Sequence, residues 1–279
     1  MQTIASCQQM HSWSKTQKQS GKTLSFIPTM GALHQGHISL IRKAKELSKN
    51  VVVSIYVNPT QFAPHEDLNS YPRTLTKDLE ICENEAVSAV FTPNDQEMYP
   101  HGESITVNAG QLGTLLCGAS RPGHFDGVTT VLAKLFNIVQ PDYSIFGEKD
   151  FQQLVIIKKM SADLNFPGKI IAAPIVRAAD GLAMSSRNRK LALDERTNAL
   201  CLYQALSKAK EIVDDGIKDS NVILANAKEI IKMAGAKLDY AALVDEQTLL
   251  PVALVRKNSR LCLAAYLGDT RLIDNCSLA

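Results

Sequence analysis

The sequence predicts an α/β protein, with a doubly wound parallel sheet over residues 1–175 and a smaller α+β domain over 176–279. Two observations carry this. Short, near-continuously apolar runs alternate with longer stretches of helical periodicity, the pattern of βαβ units in a buried parallel sheet. Past residue 175 the alternation stops: two helical stretches come in succession, then two strand-like runs joined by a polar connection.

LSFIPT (24–29) is the first strand, apolar and stopped by Pro28 and the turn-like PTMG. The following HISLIRKAKELSKN spaces Ile38, Ile41, Ala44 and Leu47 along one helical face and turns Arg42, Lys43, Lys45 and Lys49 elsewhere. VVVSIYV (51–57) is the second strand, which completes a βαβ unit. A helix from Thr74 to Ala86 then leads to VSAVFTP, LAKLFNIV leads to YSIFGEK, and FQQLVIIKKMSADL leads to KIIAAPIV. In the second part, helices over 194–214 and 221–234 precede the strands DYAALVDE and LCLAAYLG. The chain has no internal repeat and no low-complexity tract.

Composition narrows the function. A net charge of +2 over 279 residues gives no electrostatic case for nucleic acid or a membrane surface as the main partner. The amino terminus lacks the apolar core of a signal peptide, and VVVSIYV is far shorter than the ~20 residues that span a bilayer. Cysteines at 7, 82, 117, 201, 262 and 276 form no CxxC pair, so reduced thiols in a cytoplasmic protein are expected rather than a disulfide scaffold or a zinc site.

Four segments carry candidate chemistry. PTMGALHQGH (28–37) lies between the first strand and the first helix, where α/β sheets bind ligands. Gly31 and Gly36 remove side chains where a phosphate would approach, and the helix amino terminus offers unpaired N–H groups. His34 and His37, three apart, can face one ligand and donate to phosphate oxygens as charge builds. The string HxGH alone is equally well two surface histidines near a turn, and a metal site would need a third ligand from elsewhere. GLAMSSRN (181–188) supplies Ser185 and Ser186 as hydroxyl donors and Arg187 as a planar fork for phosphate, although such a loop alone reads as a turn. FGEKDFQQL (146–154) starts a helix at a strand end. There Lys149 can neutralise phosphate, Asp150 can accept from ribose or cap the helix, and Gln153 can bond a polar substrate. VNPTQF (57–62) places the amides of Asn58 and Gln61 at the end of the second strand, suited to a hydroxy acid. The last two segments, taken singly, are a capped helix start and a turn.

HxGH early and MSSR late resemble the paired signature of the nucleotidyl-transfer superfamily, with Arg187 where class I aminoacyl-tRNA synthetases commonly use lysine. PTMGALHQGH, NPTQF, RPGHFDGV, FGEKDFQQL, DGLAMSSRN and the closing LGDTRLIDN together resemble the pantoate–β-alanine ligase (pantothenate synthetase) family, over residues 24–275. One departure is Ala178 in PIVRAADG, where an acidic or polar residue is expected.

The resemblance implies a Rossmann-like nucleotide-binding domain and an ATP-dependent ligase working through pantoyl adenylate. Met30, Gly31, Ala32, Leu33, His34, Gln35, Gly36 and His37 would hold ATP, with Gly147, Glu148, Lys149, Asp150, Val176, Met184, Ser185, Ser186 and Arg187 completing its site. His37 would be the proton donor, aided by His34, Lys149 and Arg187. Gln61, Gln153 and Asn58 would contact pantoate, and Gln61 also β-alanine. Mg²⁺ would be held largely by the phosphates and water, since no acidic motif is dedicated to it. The same resemblance implies a homodimer.

Three rivals remain. Another nucleotidyltransferase would share the His loop without needing the paired amides. An aminoacyl-tRNA synthetase would need tRNA-binding domains and usually a basic face. A nucleotide sensor could keep the fold, but nothing would require it to keep His34, His37, Lys149 and Arg187 together.

Overall fold

A computed structural model of the chain describes residues 1–64, 66–100 and 105–278. Among these residues six strands form one wholly parallel sheet: β1 (Gln2–Ile4), β2 (Leu24–Thr29), β3 (Asn50–Ile55), β4 (Ala89–Phe91), β5 (Tyr143–Gly147) and β6 (Lys169–Ala173), in the spatial order β1-β4-β3-β2-β5-β6. The central β2 pairs with β3 from Leu24↔Asn50 to Thr29↔Ile55, and with β5 through Ser25↔Tyr143 and Phe26↔Ser144. From β2 the chain proceeds outward on one side, and from β5 on the other. The crevice between these two strand ends is the topological switch point, where open α/β sheets bind ligands.

The helices of this part are α1 (Cys7–Gln19), α2 (Gln35–Leu47), α3 (Leu75–Asn84), the one-turn α4 (Asp95–Met98) and α5 (Cys117–Ser120), α6 (His124–Val139) and α7 (Phe151–Asp163). The near-continuous apolar strands exist because both faces of the sheet are covered. Phe26, Val52 and Phe146 point into a core shared with Met10 of α1, Leu135 of α6 and Ile157 of α7. Their neighbours Ile27, Val51, Val53 and Ile145 point the opposite way, onto Ile41 and Ala44 of α2 and Cys82 of α3.

The rest of the chain holds α8 (Leu193–Asn198), α9 (Cys201–Asp214) and α10 (Ser220–Met233), then an antiparallel sheet of β7 (Lys237–Asp245), β8 (Ser259–Leu267) and β9 (Thr270–Ser277). Leu202, Leu206, Ile223 and Ile231 of the helices pack on Leu261, Leu263 and Leu272 of this sheet in a separate core. The two sheets meet through polar ties. Asn275 of β9 donates to the carbonyls of Glu148 and Lys149, each at 3.0 Å, and Arg177 forks onto Asp274 at 2.6 and 2.9 Å. The Arg260 guanidinium also lies 4.0 Å from the centre of the Phe151 ring.

Several elements differ from expectation. The helix expected over 194–214 is broken by a turn at Ala199 and Leu200 into α8 and α9. β1, α1 and β9 were not expected. In α1 only Met10 and Ser14 are buried, and in β1 only Ile4, so neither presents an apolar stripe. α2 begins at Gln35, two residues before the stretch HISLIRKAKELSKN, because His34 caps it. All six cysteines are free thiols. Among the described residues no helix is long and apolar enough to cross a membrane.

Candidate active site

The carboxyl ends of β2, β3, β5 and β6 open on one cleft. Met30, His34, Gly36, His37, Asn58, Gln61, Gly147, Lys149, Asp150, Gln153, Val176, Met184, Ser185, Ser186 and Arg187 all line it. Five singled-out residues, Gly31, Ala32, Leu33, Gln35 and Glu148, are not among its walls. Glu148 lies 3.5 Å from Arg260, and Gln35 is exposed to solvent.

The amides of Ala32 and Leu33 donate to the two carboxylate oxygens of Asp78, at 2.9 and 2.8 Å. Asp78 is 1% exposed on α3, and Thr74 also donates to it. These backbone donors therefore fix the shape of the loop. The helix start is satisfied by the histidines themselves. His34, the residue before α2, accepts the Gly36 N–H on Nδ1 at 3.1 Å, and His37 Nδ1 accepts the His34 N–H at 3.3 Å. Gly36 is required here, since a Cβ would sit 2.8 Å from the His34 ring. An Nδ1 that accepts carries no proton, so each neutral ring has its N–H on Nε2. The ring centroids are 4.2 Å apart.

Burial first, then the positive charges of Lys149 and Arg189, holds the His34 pKa down at about 4. Burial, His34 and the same two cations hold His37 at about 3. Near neutral pH the loop therefore presents two uncharged Nε2–H donors.

Asn58 is engaged on every side. Its amide nitrogen donates to Gln61 Oε1 and to the Gly127 carbonyl, both at 3.2 Å, and its oxygen accepts from the Tyr99 hydroxyl at 2.9 Å. It thereby fixes which way the Gln61 amide turns, leaving the Gln61 –NH₂ beside Met30 Sδ at 3.1 Å. On the far wall, Ser185 caps the turn Ser186–Lys190 by accepting the Arg187 N–H at 3.3 Å, and the Ser186 hydroxyl donates to the Ala32 carbonyl at 3.1 Å. Arg189 donates to the Leu33 carbonyl at 3.1 Å, so the MSSR turn and the His loop hold each other directly.

Arg187 does not stand free. It and Lys190 pair with Asp67, at 3.0 and 2.8 Å, and its guanidinium lies 5.8 Å from the centre of the Tyr71 ring. Burial pushes the Asp67 carboxyl up, but the Arg187 and Lys190 contacts outweigh it and bring it down to about 2. Asp67, Tyr71 and Asp78 escape motif reading because they join the site across long sequence separations. Asp78 alone leaves a signal: it lies four residues before Cys82 on the face of its helix that is otherwise apolar.

Among the described residues, no group of three or more His, Cys, Asp or Glu side chains is placed to hold a metal ion. The cleft offers the single carboxylate of Asp150, with Lys149 Nζ 3.9 Å away. One carboxylate suits a cation carried mainly by the phosphates of a bound nucleotide rather than a protein cage.

A cleft at the switch point of a parallel sheet, edged by neutral N–H donors, a lysine and an arginine, has the make-up of an enzyme site for a polyanionic ligand. The family described as pantoate–β-alanine ligase matches residues 2–277. A pantothenate synthetase of Sulfurihydrogenibium sp. (strain YO3AOP1) is 48% identical over 277 residues, covering 99% of each chain. One from Geobacter sulfurreducens is 48% identical over 279 residues, covering 100% of this chain and 99% of the relative. The crystal structure of pantothenate synthetase from Thermus thermophilus superposes with a TM-score of 0.94 at 38% identity, covering 100% of this chain and 99% of that one. That of a pantoate–β-alanine ligase from Francisella tularensis, complexed with beta-gamma ATP and β-alanine, has a TM-score of 0.84 at 37% identity, covering 100% and 98%. The chain belongs to the pantoate–β-alanine ligase family, and is a ligase.

Proposed function

We propose that this chain condenses pantoate with β-alanine at the expense of ATP, through a pantoyl-adenylate intermediate, to give pantothenate, AMP and pyrophosphate. The observation that carries the reading is the convergence, in one cleft, of two classes of group. The Nε2–H groups of His34 and His37, Lys149 and Arg187 suit a triphosphate, and the amides of Gln61 and Gln153 suit a small hydroxy acid. In the first step the pantoate carboxylate attacks the α-phosphorus and pyrophosphate leaves. In the second the amine of β-alanine attacks the acyl carbon and AMP leaves.

The residue types fit this division. Transfer at phosphorus needs positioning and charge stabilisation more than covalent help. With a pKa held at about 3, His37 serves near neutral pH as a hydrogen-bond donor from Nε2, not as an imidazolium. Lys149 and Arg187 balance the charge that builds on the departing pyrophosphate. Met30, Gly36, Gly147, Asp150, Val176, Met184, Ser185 and Ser186 shape the nucleotide side of the cleft. Gly31, Ala32 and Leu33 form the loop behind it, and Gln35 and Glu148 adjoin His34 and Lys149 in the chain. Gln61 and Gln153 take pantoate, Gln61 reaches β-alanine as well, and Asn58 acts by orienting Gln61.

Mg²⁺, carried by the phosphates with Asp150 as a carboxylate that lines the cleft, would neutralise part of the triphosphate charge. The reading includes two domains, 1–175 for nucleotide and pantoate and 176–279 bearing the MSSR turn, a homodimer, and residence in the cytoplasm. Pyrophosphate release is the test. ATP with pantoate alone should give a stoichiometric burst, and added β-alanine should convert it to turnover. No burst and no turnover with both acids present would overturn the proposal.

A further inference from the structure

The segment RPGHFDGV, which begins in the loop before α6 and runs through its first turns, reaches the cleft of the proposed function through Val128, and its Arg121, His124 and Phe125 line an adjoining pocket that shares Lys149, Gln153 and Arg187 with that cleft. Asp126 turns away to accept from Asn108 and the Ala109 N–H, and Phe125 enters the core, while Gly127 and His124 meet the turn Pro59–Gln61. A Cβ on Gly127 would meet the Thr60 carbonyl oxygen at 2.4 Å and the Gln61 nitrogen at 2.7 Å, so only glycine lets that turn rest on α6. His124, a half-buried ring, has Nδ1 2.8 Å from the Gln61 carbonyl oxygen. A carbonyl can only accept, so Nδ1 carries the proton and Nε2 is left as an acceptor. That acceptor faces Arg121 Nη1 at 3.0 Å. The rest of the Arg121 fork is closed by Glu66, whose two oxygens accept from Nε and Nη2, both at 2.6 Å. Each link fixes the next: the carboxylate sets the guanidinium plane, the guanidinium sets the imidazole tautomer, and the imidazole donates to the backbone of Gln61.

We infer that Glu66, Arg121 and His124 form a relay of positioning residues that holds the backbone of Gln61 and so aims its amide at the hydroxy-acid substrate. None of the three is needed to touch that substrate. The inference rests on the assignment of Gln61 to pantoate. Asn58 fixes the Gln61 side chain from one side and the relay fixes its main chain from the other. A binding amide held at both ends loses little freedom when the ligand arrives. Burial and the cationic neighbour both oppose protonation of His124, which keeps the required tautomer available across the neutral range.

The test compares His124→Leu, His124→Asn and Glu66→Gln with Gln61→Ala, reading the KM for pantoate and for ATP separately from pyrophosphate release, with melting temperatures alongside. His124→Leu removes the donor and should raise the pantoate KM roughly five- to tenfold, with the ATP KM within about twofold of the parent. His124→Asn keeps an N–H at the position of Nδ1 and should recover most of that loss. Glu66→Gln, on the segment outside the core, should raise the pantoate KM by a smaller factor in the same direction. Equal behaviour of the Leu and Asn variants, or a parallel rise in both KM values, would reduce His124 to packing and overturn the relay. Gln61→Ala with an unchanged pantoate KM would remove the underlying assignment, and the relay with it. A damaged Gln61→Ala beside parent-like His124 and Glu66 variants would sink the relay alone.

Discussion

Lowering the pH from 7 to 5.5 should destabilise the fold by about 4 kcal/mol, through three histidines that the folded chain keeps neutral. His34, His37 and His124 have an ordinary value of 6.5 and are held at about 4, 3 and 4 in the fold. Burial is the main cause in each case, and nearby positive charge adds to it. The sign follows from proton counts. Below pH 6.5 the unfolded chain takes up a proton at each of these positions while the folded chain does not, so stability is present above 6.5 and is lost as the pH falls toward the folded values. At pH 5.5 each unfolded imidazole gains roughly 1.4 kcal/mol, against roughly 0.2 at pH 7, leaving a difference of about 1.2 per histidine. The figure needs only that the folded values lie well below 5.5, not their size. Urea unfolding at the two pH values measures it, and His124→Asn should remove about a third of the difference. Equal stability at pH 7 and 5.5, or resonances of the His34, His37 and His124 imidazoles that titrate near 6.5 in the folded protein, would refute the reasoning.

Replacing His37 with Ala should cut pyrophosphate release by a factor on the order of 10²–10³ while leaving the melting temperature near that of the parent. A rate within a few-fold of the parent would remove His37 from the chemistry. Gln153→Ala should weaken pantoate by ~1–3 kcal/mol and leave ATP binding almost unchanged, as read by calorimetry. Arg187→Lys should keep part of the adenylation rate and Arg187→Ala almost none. The amine step, started from supplied pantoyl adenylate in single-turnover assays, should suffer far less in both Arg187 variants.

The sheet and the helices around the site were legible because their sequence signal is strong. LSFIPT and VVVSIYV are buried on both faces and are apolar almost throughout, and the intervening helix repeats Ile38, Ile41 and Ala44 at helical spacing. The same logic explains what was missed. β9 reads TRLIDNCS, and its Asp274 and Asn275 are 3% exposed, buried as polar groups because they bind Arg177, Arg260 and the backbone of residues 148 and 149. A strand that buries charge shows no apolar alternation, so pattern reading passes over it. At the site, the local motifs could be read as strings, yet the function of a string depends on what it faces. In PTMGALHQGH the two glycines and the helix start suggest a phosphate cradle, whereas the amides of Ala32 and Leu33 within it close on Asp78, 45 or more residues away. RPGHFDGV was visible as a motif, but its partners, Thr60, Gln61 and Glu66, lie on a different segment and only the fold brings them together.

The ion pairs sort by what surrounds them, and that sorting bears on how the cleft can accept a polyanion. Arg187, Lys190 and Asp67 are 26–29% exposed, and Lys149 reaches Asp150 only at 3.9 Å, with Asp150 51% exposed. Pairs of this kind contribute little net stability, since water competes for both partners. Phosphate oxygens can therefore take over these cations at small cost to the fold. Behind the cleft the situation reverses. The Asp274 side chain is 2% exposed against Arg177, and that of Arg260 is 9% exposed against Glu246 and stacked on Phe151. Breaking such a pair strands a charge away from water, which is strongly destabilising. The weakly held cations thus lie at the cleft, while the firmly held ones tie β9 to the segment after β6 and β8 to the start of α7. The protein can exchange carboxylates for phosphates at the mouth of the cleft without loosening the joint between its two sheets.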